Sequence, residues 1–459
     1  MAQQQTFARL PPSGIKVIIV GAGFAGLCAA IECDRKGHSV VLLEKVADLK
    51  PLGDIISFAA NSGRIFERWE GVVEALEPII HKSEGLNFHS WEGEFMTRQI
   101  WDPEAKYGRK INGHRAEIHE AVYLHAKARG IDIRLDQNVT DYFENDDHAG
   151  VVSNGETLTA DCVVAAEGVK SKGRKIVLGY EDRPKASGYA VFRAWMKTDE
   201  LAKSPSTKWF CHGDTHNGWM GEDKHFLVAS IKNGTELSWV LTHKDDGDID
   251  EDWSFPGQID DVLKCIDSWD PVLKELVKAT PPDRLHDYKL VFRDPLPTFI
   301  SPKARIALIG DAAHPFLPTS IQGASQSMED GVALAITLEK SGRDNVQQGI
   351  RAYEAVRYER VHRAQMTGVT TREQWHKADW TKIRADPKSL HLRREPWLLD
   401  FDQESHTYAV FDETVAKLKE KEKEDVAAAA PVAVEDAGSE KVTAAPRVMA
   451  TELLGVSQA

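Results

Sequence analysis

The most constraining feature lies near the start of the chain. A short β-branched apolar run, Ile15 to Val20, meets Gly21-Ala22-Gly23-Phe24-Ala25-Gly26, and Ala25 to Lys36 then carries apolar residues at helical spacing until Gly37. A second apolar run, Ser39 to Leu43, ends in Glu44. Continuous apolar runs of this length suit strands covered on both faces, so the spacing predicts a strand–helix–strand unit of a parallel sheet. Each glycine has its own physical use. Gly21 permits the tight turn, Gly23 lets backbone approach a pyrophosphate, and Gly26 lets helix and strand pack closely. The helix N-terminus offers unbonded N–H groups and a partial positive charge. Glu44, 18 residues past Gly26, is placed to accept hydrogen bonds from a ribose diol. A glycine-rich turn alone is often only structural, whereas strand, helix and acid together select a dinucleotide, FAD or NAD(P).

Charge and cysteine content exclude several alternatives. Against 57 Lys plus Arg stand 71 Asp plus Glu, a net charge of −14 that repels a polyphosphate backbone, so no nucleic-acid partner is expected. The five cysteines (Cys28, Cys33, Cys162, Cys211, Cys265) include no CxxC pair, which argues against a disulfide framework and against a zinc centre, and no metal is expected. The N-terminal residues lack an apolar core of signal-peptide type, and no stretch of 18 apolar residues is free of charge. A soluble cytoplasmic protein without a membrane anchor is the expectation.

The texture of the chain sets the expected domain order. Arg115 to Arg129 reads as a helix, with Ile131 to Leu135 and Asp161 to Ala166 as further strands of the same α/β layer. Aromatic-rich alternating segments then follow at Tyr189 to Met196, Trp209 to Gly213, Phe226 to Ile231 and Leu237 to Thr242. They predict an antiparallel sheet and a second domain. The α/β signature returns at Arg305 to Ile309, with long helices expected over Ala324 to Lys340 and Val346 to Thr367. The fold class expected is therefore α/β: a GxGxxG Rossmann-like dinucleotide domain with an inserted antiparallel β-sheet substrate domain. The boundaries expected are a flexible lead-in over 1–14, the dinucleotide domain over 15–180 and 295–411, and the β-rich insert over 181–294. Residues 412–459, running through KLKEKEKED into Ala/Val/Pro/Glu-rich text, are expected to be mostly a disordered tail.

A second motif, Gly310-Asp311-Ala312-Ala313-His314-Pro315, follows the Arg305 to Ile309 strand, and Gly323-Ala324 opens a helix after it. A strand that runs into Gly-Asp puts a carboxylate at the carboxyl end of the sheet, where it accepts from cofactor hydroxyls. An Asp helix cap followed by a Pro turn accounts for the same letters.

Taken together, GxGxxG, an acid after the next strand and a distant GDAAHP resemble the single-component (class A) FAD-dependent aromatic monooxygenases of the p-hydroxybenzoate and salicylate hydroxylase type. The resemblance runs from about Lys16 to about Gln365. It implies that Asp311 binds the ribityl chain of FAD, that Ala324 lies beside the flavin, and that Arg115, in an Arg-x-x-x-His helix start, contacts the cofactor. It also implies that the backbone at Ser57, 13 residues past Glu44, meets FAD. The family's Asp-Gly motif is matched in position by Glu167-Gly168, with an acid one methylene longer.

Gly53-Asp54-Ile55-Ile56 and Ser187-Gly188-Tyr189-Ala190-Val191-Phe192-Arg193-Ala194 are similar to the fungal secondary-metabolism branch of that family, which includes indole epoxidases and phenol dearomatases. There the strand arginine is taken as catalytic, which makes Arg193 the first candidate. Its permanently charged planar fork suits a phenolate or a departing oxygen. Asp54 is the second, as an acceptor for a substrate N–H or O–H, although Asp after Gly is also ordinary turn chemistry. His225, Trp219 and Trp239 lie on the expected substrate sheet, as pocket lining or as ordinary packing. His314 is read as shaping the turn below the flavin.

The resemblance implies NAD(P)H as co-substrate and O2 as partner. One oxygen then reaches an electron-rich aromatic, phenolic or polyketide-type, through a C4a-hydroperoxyflavin. An indole 2,3-epoxidase forming a spiro-oxindole is the rival, and a non-catalytic flavoprotein partner the rival of another class. No WxWxIP run marks a halogenase. A monomer or homodimer is expected.

Overall fold

The computed structural model describes residues 8–49, 54–102, 107–245 and 255–429. The strand at Lys16–Val20 lies at the centre of a five-stranded sheet whose spatial order is Ile306–Leu308, Cys162–Ala165, Lys16–Val20, Ser39–Leu43, Asp132–Arg134. All four pairings are parallel. Val17 and Ile19 pack into the helical layer and Ile18 and Val20 into the opposite layer, which is why the run is apolar at every position. The helices Phe24–Arg35 and Gly323–Ser341 lie against one another on the first face, with Gly331 so close to Ala29 that a Cβ would stand 2.7 Å from its nitrogen. The opposite face is covered by a three-stranded antiparallel sheet, Glu156–Ala160, Ala149–Ser153 and Val139–Glu144.

The aromatic-rich half forms an eight-stranded sheet. Its order is Phe255–Pro256, Leu285–Phe292, Lys185–Lys197, Glu236–Lys244, Lys224–Ile231, Thr215–Gly221, Gly85–Ser90, Phe95–Ile100. Two of its strands therefore come from before residue 181, and Gly85–Ser90 joins by parallel pairing with Thr215–Gly221. The other pairings are antiparallel.

One strand expectation is corrected. Trp209 to Gly213 is not a strand: Lys208–Cys211 is a 3-10 turn, and the strand starts at Thr215. Consecutive Trp209 and Phe210 stack on each other at 3.9 Å, Phe210 is fully buried, and Gly213 has φ +79°, a left-handed conformation that ends any extended run. The helix expected to end near Thr367 continues to His376.

A compact unit ends at Ala416. The helix Gln403–Ala429 carries Lys417 onward as helix through Ala429, and the rest of the expected tail lies outside the described residues. Among the described residues no helix is long and apolar enough to cross a membrane.

Candidate active site

Sheet alternation divides the eight-stranded sheet into two faces. Phe192, Trp239, Phe226 and Trp219 pack into an apolar layer with Val262, Ile266, Leu273 and Val277. Arg193, directly opposite Val240, belongs to the other face, as do Leu227 and Gly218 across the next strands. Trp219 and Trp239, weighed as pocket lining, are thus fully buried packing residues on the wrong side of the sheet. His225 is on the Arg193 face but is consumed internally. Its Nδ1 lies 2.7 Å from His376 Nε2 and its Nε2 3.1 Å from Thr242 Oγ1. Burial holds both rings neutral, with the His376 pKa lowered to about 4.

The two candidates for chemistry meet. Arg193 Nη1 donates to Asp54 Oδ2 at 2.8 Å, with the Arg193 and Asp54 side chains 13% and 25% exposed. Asp54 is held in place from below, since its carbonyl accepts from Arg115 N at 3.0 Å where the helix Arg115–Ala128 begins. Ser57 lies on the adjoining strand Ile55–Phe58, paired with Ile111–His114 opposite Asn112. Gly53 lies outside the described residues.

The glycine loop behaves as its letters require. Gly21 has φ +102°, and a Cβ there would stand 2.5 Å from Ala166 O; one on Gly26 would stand 1.8 Å from Gly21 O. A Cβ on Gly23 would meet nothing within 4 Å. The loop is therefore closed where it packs and open where a pyrophosphate would approach, which fits a dinucleotide. Glu44 Oε2 accepts from Ala22 N at 2.7 Å and its Oε1 from Val46 N at 3.1 Å, so the carboxylate is fixed at the mouth of the loop. His119, one turn after Arg115, holds Ala22 O at 2.6 Å.

The GDAAHP loop adjoins the same cleft. A Cβ on Gly310 would stand 2.7 Å from Ala25 Cβ of the glycine helix. Burial raises the Asp311 carboxyl above its ordinary value, and His314, Arg115 and Arg174 pull it back down. Arg174 fixes the backbone here, donating to Ala312 O at 2.6 Å and Asp311 O at 2.8 Å. Ala324 stands in the first turn of Gly323–Ser341, and its neighbour Ser325 accepts from Ala59 N at 3.0 Å. That bond ties the Ser57 strand to the Ala324 helix.

Residues that sequence reasoning missed lie behind the loop. Asp330 Oδ2 accepts from Gly310 N at 2.8 Å and bonds His314 Nε2 at 2.6 Å, while Arg357 Nε donates to Asp330 Oδ1 at 2.8 Å. Arg357 also pairs with Glu329 at 2.6 Å, and all three charged side chains are fully buried. Apolar spacing hides them, because the helix Gly323–Ser341 is buried nearly all round and its acids sit among core letters. Glu167 is likewise engaged within the chain, accepting from Ser171 Oγ at 2.7 Å and Gly173 N at 3.2 Å.

A family model described as an FAD binding domain matches residues 14–367. The chain belongs to that family of flavoproteins. It is 36% identical over 429 residues to asperlicin C monooxygenase of Petromyces alliaceus, covering 90% of this chain and 92% of the relative. It is 34% identical over 432 residues to notoamide E oxidase notB' of Aspergillus versicolor, covering 90% and 93%. A crystal structure of CtdE in complex with FAD and a substrate superposes with a TM-score of 0.84 at 32% identity, covering 88% of this chain and all of that one. A structure of FqzB gives 0.83 at 37% identity, covering 91% and 97%. A salicylate hydroxylase complex at 23% identity shares the fold, with a TM-score of 0.72 and coverage of 86% and 97%. The protein is an FAD-dependent monooxygenase of fungal secondary metabolism, acting on a small molecule.

Proposed function

We propose that this monooxygenase uses NAD(P)H and O2 to place one oxygen atom on an electron-rich aromatic ring held between Arg193 and the flavin, the second oxygen leaving as water. When bound, FAD accepts hydride and activates O2; the protein positions the ring and excludes water. Gly21, Gly23 and Gly26 cradle the pyrophosphate, Glu44 takes the ribose diol, and Asp311 takes the ribityl hydroxyls. Arg115 supplies positive charge beside Asp311, Ser57 meets the flavin through its backbone, and Ala324 leaves room beside it. A cleft of about 630 Å³ next to Glu167, lined by Lys170, Lys172, Arg174, Lys175 and Arg293 against Asp141, Glu181 and Asp182, supports the docking of an anionic dinucleotide.

The observation that carries the reading is the Arg193–Asp54 pair at 2.8 Å. It also favours one substrate class. A guanidinium already neutralised by a carboxylate is a poor counter-ion for a phenolate, while Asp54 Oδ1 is an acceptor for a ring N–H. Epoxidation of an indole, with Asp54 holding the N–H and Arg193 donating to the oxygen as it transfers, is therefore preferred over phenol hydroxylation. Relatives named for asperlicin C and notoamide E support a secondary metabolite as substrate.

The test is an absorbance spectrum of the purified protein, then NADPH oxidation with phenols and with indole diketopiperazines. A flavin spectrum with oxidation stimulated by indoles supports the reading. Stimulation by phenols alone overturns the indole preference, and a flavin-free protein that cannot be reconstituted overturns the reading.

A further inference from the structure

On the Arg193 side of the eight-stranded sheet, Trp195, Ser238, Ala229 and His216 form one row across four adjacent strands. At the usual strand spacing the two ends of that row stand roughly 14 Å apart. The ribbon made by Ile55–Phe58 and Ile111–His114 runs over this face from one end to the other. At the Asp54 end, the His114 ring packs on Trp195 with centroids 4.3 Å apart. At the far end, Lys110 Nζ sits 3.6 Å over the Trp101 ring, and Trp101 lies 5.6 Å from the His216 ring. In the next row on the same face, Arg193, Val240 and Leu227 are only partly buried although they lie on interior strands, so space remains above that row beside the buried Ser238 and Ala229.

The far end holds unsatisfied buried donors, and Asp102 is the acid that acts on Arg394 there. With the Asn112 amide turned so that its nitrogen donates to Ser57 Oγ at 3.0 Å, its oxygen accepts from Lys110 Nζ at 2.9 Å. Among the described residues Lys110 has no acidic partner within ion-pair distance. Trp101 Nε1 and Arg394 Nε are buried donors without a hydrogen-bond partner among the described residues, while His81 donates through Nε2 to Thr215 O at 3.1 Å, which leaves its buried Nδ1 an unpaired acceptor. Trp101 and His81 are 7% and 6% exposed, so water does not serve them freely. Burial lowers the Lys110 amine well below its ordinary value, with the Arg394 charge adding to it, and lowers His81 to about 4. Orphaned buried donors cost free energy unless a ligand meets them.

We infer that Lys110, Trp101 and Arg394 form a second anchor of the substrate site, which takes carbonyl or carboxylate oxygens at the end of the substrate remote from the oxidised ring. The inference rests on the reading that the ring itself sits at Arg193 and Asp54. It makes specificity two-ended. The near end selects a ring with an N–H, and the far end selects a scaffold that carries acceptor oxygens remote from that ring.

Titration calorimetry on the FAD-loaded protein tests this with three probes: 3-methylindole, the cyclic dipeptide cyclo(Trp-Pro), and indole-3-acetate. The wild type should bind cyclo(Trp-Pro) or indole-3-acetate at least tenfold more tightly than 3-methylindole, and the better of the two identifies carbonyl or carboxylate as the group taken. Lys110→Met should remove most of that advantage and Trp101→Phe part of it, with FAD content and the 3-methylindole Kd unchanged. Lys110→Arg should restore it in part. A wild type that does not discriminate among the three, or a Lys110→Met variant that discriminates as the wild type does, overturns the inference. Failure of the ring reading is seen separately, as Arg193→Ala and Asp54→Asn variants that bind 3-methylindole as tightly as the wild type.

Discussion

Arg193 and Asp54, 139 residues apart in sequence, meet as an ion pair at 2.8 Å across the gap between the eight-stranded sheet and the Ile55–Phe58 ribbon. The relationship changes what each residue can do. Asp54 fixes the direction of the guanidinium, and Arg193 fixes that of the carboxylate, so neither acts as an isolated charge.

Arg193→Ala should retain FAD and lose coupled oxygenation, by about 10²-fold or more in product formation, the usual cost of removing a positioned donor at an oxygen centre. Asp54→Asn should lose less, and the double variant should lose little more than Arg193→Ala, because paired groups are not additive. Product analysis against NADPH consumed checks this. Full product formation by Arg193→Ala would contradict the catalytic assignment.

Asp311→Ala should purify largely colourless. Losing charge-assisted hydrogen bonds to the ribityl chain weakens FAD binding by about 1.5–3 kcal/mol, roughly ten- to a hundredfold. Flavin-to-protein stoichiometry by absorbance is the measurement, and a variant as yellow as wild type would remove Asp311 from the cofactor site.

The glycine loop separates folding from binding. Gly26→Ala places a Cβ 1.8 Å from Gly21 O and should abolish soluble expression or lower the melting temperature sharply. Gly23→Ala meets nothing within 4 Å and should fold normally, yet bind FAD weakly because the methyl enters the pyrophosphate path. Thermal melts of the two apoproteins, followed by FAD titration, distinguish these outcomes.

Arg357→Met leaves Glu329 with Arg360 alone and Asp330 with His314 alone as ion-pair partners, which should cost up to about 3–5 kcal/mol of stability. The three side chains are fully buried, so solvent screening does not reduce that figure. Urea denaturation of the apoprotein checks it, and a change under about 1 kcal/mol would mean that His314 and Arg360 suffice.

The same network sets acid stability. Despite burial, Arg360, Arg357, His314 and hydrogen bonds hold Glu329 and Asp330 below the ordinary carboxylate values. Carboxylates depressed in the folded state stabilise it fully above their unfolded values, about 4, and that stability is lost as pH falls through the lower folded values. Melting temperature should therefore drop steeply below about pH 4, and Asp330→Asn should flatten the slope while lowering stability at pH 7.

By itself the amino-acid sequence determined the dinucleotide layer, because glycine conformation, apolar runs and an acid at fixed spacing are local consequences of backbone sterics and burial. Gly21 and Gly26 make in the fold the turn and the close packing their spacing required, and Glu44 follows the second strand at the mouth of that loop. Alternation likewise marked the Arg193 strand. Tertiary structure alone decided which face of the sheet looks inward, since that depends on what packs behind it; the helices around Leu273 took Trp219 and Trp239 for the core. It alone brought Asp54 to Arg193, recruited Gly85–Ser90 and Phe95–Ile100 into the far edge of the sheet, and closed Arg357 onto Asp330. Each of these is a pairing of charges or strands distant along the chain, and their free energy exists only once the intervening loops have closed.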